Sequence, residues 1–198
     1  MSLSKDIHPD TLSRLSPLDP ARLDAVTRKL YEATVSPSDE RSRTIAGLKG
    51  PTGIFLHGSC AAALIEMNRS LRFDAGLDPK LRELAILVTA RAMNSQFEWT
   101  AHEPVAERAG LSAAVIEAVK HRRDLDGPED YAALVRYGRE LFEKGAVSDD
   151  TYAAMTTQFG EKRTVDLTAL MGAYAMTAYI LRAFAQQLPA GQRPLLPV

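Results

Sequence analysis

Residues 81–111, LRELAILVTARAMNSQFEWTAHEPVAERAGL, decide the fold. They read as two helices joined by a tight turn at Asn94-Ser95. The first is apolar almost all round, the mark of a buried helix rather than a surface one. One acid, Glu83, interrupts that apolar run. The second helix begins near Ser95 and carries Glu98 and His102. A spacing of four places the two on one helical face, one turn apart. A buried acid opposite a Glu/His pair is a candidate proton-handling site.

The flanking sequence supplies helix signals on both sides. Asp78-Pro79 is a cap followed by proline at the first helical position. Gly110 stops the Glu/His helix, and Ser112 caps the next, which ends in the basic cluster Lys120 to Arg123. Pro128 opens a helix that Gly145 closes. Ser148 caps a short helix to Phe159, and Gly160 stops it. A long apolar helix is expected from Lys162 to Leu188, followed by a proline-rich tail over 189–198. Upstream, residues 1–18 read as a loose arm. Asp19-Pro20 predicts a helix to about Ala33, 39–51 a loop or a short helix with a loop, and 53–71 one further helix. No segment alternates as a strand does. The expected fold is all-α, a single helix-bundle domain.

Composition narrows the function. Apolar residues at 45% and charged residues at 25% describe an ordinary globular chain. A formal net charge of -1 with no basic stripe argues against a nucleic-acid partner. No apolar run approaches the ~20 residues that span a bilayer, and the polar N-terminus lacks the apolar centre of a secretory signal. A cytoplasmic protein without a membrane partner is the expectation. Cys60 is the single cysteine, so an internal disulfide and CxxC dithiol chemistry are excluded. Its apolar context, CAAALIEM, predicts a buried, inert thiol.

Two readings of the central stretch stand side by side. Ser95-x-x-Glu98 is a capping box, in which Glu98 bonds back to the backbone of Ser95. Glu83 is then a partner for Arg82, Lys80 or Arg91, and His102 an ordinary helix residue. In the functional reading His102 is the general acid/base, since only its unperturbed pKa lies near neutrality. Glu98 orients the ring, and Glu83 lies across the pair. The helix start at Ser95 offers backbone N–H groups to an oxyanion, Phe97 and Trp99 wall the pocket, and His57 is a further candidate binding residue. Tyr174 and Tyr179 lie in an element expected to pack nearby. No recognised ligand spacing supports a metal site.

The run from Asp78 to Ser112 resembles the carboxymuconolactone decarboxylase family, which includes the alkyl hydroperoxidase D proteins. The shared pattern is an acid on a buried helix, a short turn, and a helix bearing a histidine followed by A-x-x-x-G-L-S. Redox members of the family carry C-x-x-C-x-x-x-H at the turn. Here Ser95 and Glu98 stand at the two cysteine positions, His102 is retained, and Glu83 matches the acid. The resemblance implies an all-α fold and a homo-oligomer, a trimer or hexamer or else a dimer, with sites near subunit contacts. It implies a cofactor-free lyase acting on a small carboxylated lactone or ring-cleavage-type compound, with His102, Glu98 and Glu83 catalytic. The alternative is a non-catalytic oligomeric binding or scaffold protein of the same fold. Without the cysteine pair, a peroxidase is disfavoured.

Overall fold

The computed structural model describes residues 5–39 and 43–197. Its helices are α1 (Ala25–Val35), α2 (Pro51–Phe55), α3 (Ala61–Arg69), α4 (Pro79–Ala92), α5 (Gln96–Arg108), α6 (Ala113–Lys120), α7 (Glu129–Lys144) and α8 (Asp149–Ala183). Among the described residues there is no strand, only an isolated bridge between His8 and Ser13. The fold is all-α, as the cap and stop signals require.

The centre of the molecule is α4. Asp78 accepts from the Lys80 and Leu81 N–H groups, and Pro79 occupies the first turn, where its missing N–H costs nothing. Every residue from Glu83 to Ala90 is buried, because α5, α6, α7 and α8 all pack around this one helix. Leu84, Ile86, Leu87, Trp99, Leu134, Leu167 and Met171 form part of the resulting core. Close packing there depends on Gly138. A Cβ at that position would sit 2.5 Å from Val88 Cγ1 and 2.7 Å from Met171 Cε, so α7 approaches α4 and α8 only because it carries none. The turn into α5 is made by Asn94 at φ 48°, a left-handed conformation that asparagine tolerates better than most residues. The Ser95 N–H then reaches back to the Ala90 carbonyl at 2.8 Å, closing the helix end.

Several expectations shift. Asp19 caps only a 3-10 turn, Pro20–Arg22, and the α-helix starts when Asp24 accepts from Val26 and Thr27. The helix expected over 53–71 is broken into α2 and α3, and α3 runs on into a π-helical turn, Ser70–Asp74. Gly160 does break the last helix, with φ 71° and ψ 164°, but the second half ends at Ala183 rather than Leu188. The whole helix Asp149–Ala183 is long and apolar enough to cross a bilayer, contrary to the sequence estimate, yet half of its most apolar window is buried inside this fold. Core packing accounts for its composition.

The chain ends are tied down. Residues 5–18 were expected to be loose, but Arg14 N–H donates to Phe184 O at 2.9 Å and Gln187 N–H to Leu12 O at 2.7 Å. At the other end Leu196 is buried in the main core, and Leu195 N–H donates to Thr100 Oγ1 at 3.3 Å. Residues 1–4 of the arm and 40–42 of the expected loop lie outside the described residues.

Candidate active site

The α4–α5 hairpin brings Glu83 and His102 together. The two are 19 positions apart in sequence, and His102 Nδ1 lies 2.8 Å from Glu83 Oε2. The other carboxylate oxygen, Oε1, accepts from Arg82 Nε at 3.0 Å. Arg82 in turn is anchored through Nη1 to the Arg72 carbonyl at 3.0 Å. Burial alone would raise the Glu83 carboxyl. The hydrogen bonds from His102 and Arg82, with the Arg82 charge, outweigh that effect and hold it below its ordinary value. Glu83 is therefore an ionised carboxylate at 0% exposure, with both oxygens occupied.

His102 is buried as well, and burial pushes its pKa down. Glu83 opposes that shift, and the positive charges of Arg72 and Arg82 add to it. The ring is thus neutral near pH 7, with Nδ1–H donating to Glu83 and Nε2 carrying the free lone pair. Tyr174 from α8 meets the ring edge-on, with centroids 5.1 Å apart at 84°.

Glu98, one turn before His102, has the opposite surroundings. It is 2% exposed, and neither carboxylate oxygen has a hydrogen-bond partner among the described residues. Burial pushes its pKa up to about 8, and the nearby Ser95 hydroxyl offsets only part of the rise without reaching hydrogen-bond geometry. At neutral pH Glu98 is a protonated acid. The roles suggested by spacing are thereby exchanged. It is Glu83 on the neighbouring helix, not Glu98 on the same one, that orients the imidazole. The capping box is also absent, since Ser95 makes no side-chain cap and Glu98 does not reach back to it.

Glu98, His102, Phe97 and Tyr174 line a cavity of ≈ 80 Å³, which is closed on other sides by α2, α3 and the 43–47 loop. On this measure a water needs ~10–15 Å³, so there is room for several waters or a small ligand group. Other candidates lie elsewhere. Trp99 points to the opposite side of α5, is fully buried in the core, and donates Nε1–H to Glu103. Ser95 is buried at the helix cap and does not line the cavity. His57 is exposed beyond α2, and Tyr179 is 62% exposed on α8. Cys60, expected to be buried, is exposed. Three arginines that spacing did not single out, Arg43, Arg69 and Arg72, also face the cavity. The only sequence signal for the last two is their spacing of three on α3 and its π-helical extension.

Comparison with known proteins agrees with this architecture. No curated protein matches the sequence. In solved structures, the chain is similar to an uncharacterised peroxidase-related protein with an alkylhydroperoxidase AhpD core from Ralstonia eutropha. The TM-score is 0.71 at 16% identity, covering 92% of this chain and 94% of that one. A protein of unknown function from Agrobacterium tumefaciens, suggested to be the antioxidant defence protein AhpD, aligns with TM-score 0.61 and 19% identity over 67% of this chain and 92% of that one. The debrominase Bmp8 aligns with TM-score 0.64 at 11% identity over 90% of this chain and 92% of its own. At these identities the likeness concerns the fold. The sequence evidence is that the model of the carboxymuconolactone decarboxylase family matches residues 60–135, which contain Glu83, Glu98 and His102. That matched segment holds the buried Glu83–His102 pair, with Ser95 and Glu98 where the redox members of the carboxymuconolactone decarboxylase family carry their two cysteines.

Proposed function

We propose that this protein is a cofactor-free acid–base enzyme of the lyase type, acting on a small carboxylated lactone or related ring-cleavage compound. One observation carries the reading: a neutral acid, Glu98, and a neutral base, His102, line one cavity, and only the base is backed by an ionised carboxylate. Environments that push two titratable groups in opposite directions mark acid and base assignments. His102 Nε2 accepts a proton from substrate carbon or oxygen. Glu83, held by Arg82, stabilises the imidazolium that results. Glu98 delivers a proton to the opposite end of the reacting system.

In a decarboxylation the substrate's C–C bond breaks and CO2 leaves. The electron pair passes into an enolate, and Glu98 protonates the carbon. An isomerisation or elimination uses the same two groups, with His102 removing the proton first. General acid–base assistance of this kind contributes typically ~10²–10⁴-fold to a rate. That a debrominase shares the fold, and is known in complex with 2,3,4-tribromopyrrole, supports a small cyclic ligand for a cavity of this shape.

The test is direct. Candidate carboxylated γ-lactones are incubated with the protein in D2O, and proton NMR follows CO2 loss and deuterium incorporation at the adjacent carbon. Exchange or decarboxylation by the unmodified chain, absent with His102→Ala, is expected. Equal exchange by the two proteins would contradict the assignment.

A further inference from the structure

The cavity has a charge imbalance. Arg43, Arg69 and Arg72 line it, while the only lining carboxyl among the described residues is Glu98, which is neutral near pH 7. Glu83 lies behind the wall and is already committed to His102 and Arg82. Nη2 of Arg69 and Nε of Arg72 are buried without a hydrogen-bond partner among the described residues. A guanidinium cannot shed its charge by deprotonation, so burial leaves these donors unsatisfied until an acceptor arrives. The Arg72 guanidinium carbon lies over the Phe73 ring, 5.0 Å from its centroid.

We propose that Arg69 and Arg72 form an anion seat that holds a carboxylate of the substrate within reach of His102 and Glu98. The proposal rests on the reading of this cavity as the reaction site. Two free N–H donors match the two oxygens of a carboxylate, and charge-assisted hydrogen bonds of this kind are the strong ones. A tetrahedral phosphate would have to draw on donors beyond these two, such as the Thr44 hydroxyl, to satisfy its oxygens. The seat also couples binding to chemistry. Arg72 is one of the charges that hold the His102 pKa down. An anion on Arg72 cancels that influence, so His102 becomes more basic when the seat is filled.

The test uses binding, so it does not depend on turnover. Succinate, its neutral analogue succinamide, and inorganic phosphate are titrated into the full-length protein by calorimetry, with thermal melting read in parallel. Succinate should bind and raise the melting temperature of the unmodified chain, as any ligand selective for the folded state does. Succinamide should do neither, and phosphate should bind more weakly than succinate. Arg69→Gln and Arg72→Gln should each weaken succinate roughly tenfold or more, the loss expected for one charge-assisted bond. Arg72→Lys should recover part of that loss.

No binding of succinate, equal binding of succinamide, or tighter binding of phosphate would overturn the seat. So would succinate affinity unchanged in Arg69→Gln and Arg72→Gln. Because the first three outcomes are read on the unmodified chain, failure of a variant to fold leaves the proposal testable. Turnover that depends on His102 while succinate ignores both arginines would sink the seat and leave the acid–base reading standing. Arginine-dependent succinate binding without turnover would do the reverse.

Discussion

Two glutamates on α5, Glu98 and Glu103, are both buried, and the protein treats them oppositely. Glu103 faces the α6 side. Its Oε2 accepts from Trp99 Nε1, and its Oε1 from Lys120 Nζ at 2.8 Å. Lys120 also reaches Glu117 at 3.0 Å and lies 5.9 Å from the Trp99 ring centroid. Every charge in that cluster has a partner. Glu98 faces the cavity and has none among the described residues. A fully paired buried network fixes how α5 and α6 sit together. An unpaired buried carboxyl costs stability and keeps its proton. The contrast on a single helix separates what holds the fold from what is available for chemistry.

The largest effect that would sharpen this contrast is on turnover. His102→Ala should lower the rate on any substrate that the wild type exchanges by about 10²–10⁴-fold, while unfolding stays cooperative. A rate equal to the parent's would break the distinction. Next in size is Glu103→Ala. It strands the Trp99 N–H and leaves Lys120 with Glu117 alone, so urea unfolding should show a loss of about 2–4 kcal/mol. Its cavity chemistry should persist. A loss below about 0.5 kcal/mol would mean that the paired network is not structural.

Glu98 makes a prediction in pH. Its folded pKa, about 8, lies above its ordinary value of 4.5. The folded state therefore holds a proton that the unfolded chain has released. The contribution to stability is fully present below 4.5, falls through the window up to about 8, and is flat beyond it. The slope inside that window is at most about 1.4 kcal/mol per pH unit. Glu98→Gln, which mimics the neutral acid, should remove this slope, so its stability relative to the parent rises with pH. Denaturant midpoints across the pH range decide it, and parallel curves for the two proteins would refute it. The smallest effect is the same substitution below pH 4.5, where both side chains are neutral. There the two proteins should agree within about 0.5 kcal/mol.

Much of this was legible in the residues themselves. Asp78-Pro79, the Asn94-Ser95 turn, Gly145 and Gly160 mark real helix ends, because caps and left-handed positions depend on local chemistry. Glu83 could be singled out because a lone acid in a wholly apolar helix must be paired to persist. Arg82 was among the partners the sequence offered it and is one of the two it has, but its bond to the His102 ring could not be read, since the angle between α4 and α5 is set by packing around α4. Spacing paired Glu98 with His102, yet the ring turns to Glu83 across the helix pair. Phe97 and Trp99 are two residues apart and face different sides of α5, one to the cavity and the other to the core. Arg69 and Arg72 were not singled out, and only the tertiary fold brings them to the site. Cys60 shows the converse. Its apolar neighbours suggested burial, but it caps α3 at the surface.

The central claim is that one cavity holds a protonated Glu98 beside a neutral His102 backed by an ionised Glu83. The most direct measurement is a carboxyl 13C NMR titration of the 13C-glutamate-labelled protein, compared with Glu98→Gln. The account predicts one buried carboxyl that titrates near 8 and is missing from the Glu98→Gln spectrum. A Glu98 carboxyl that titrates near its ordinary value of 4.5 would contradict it.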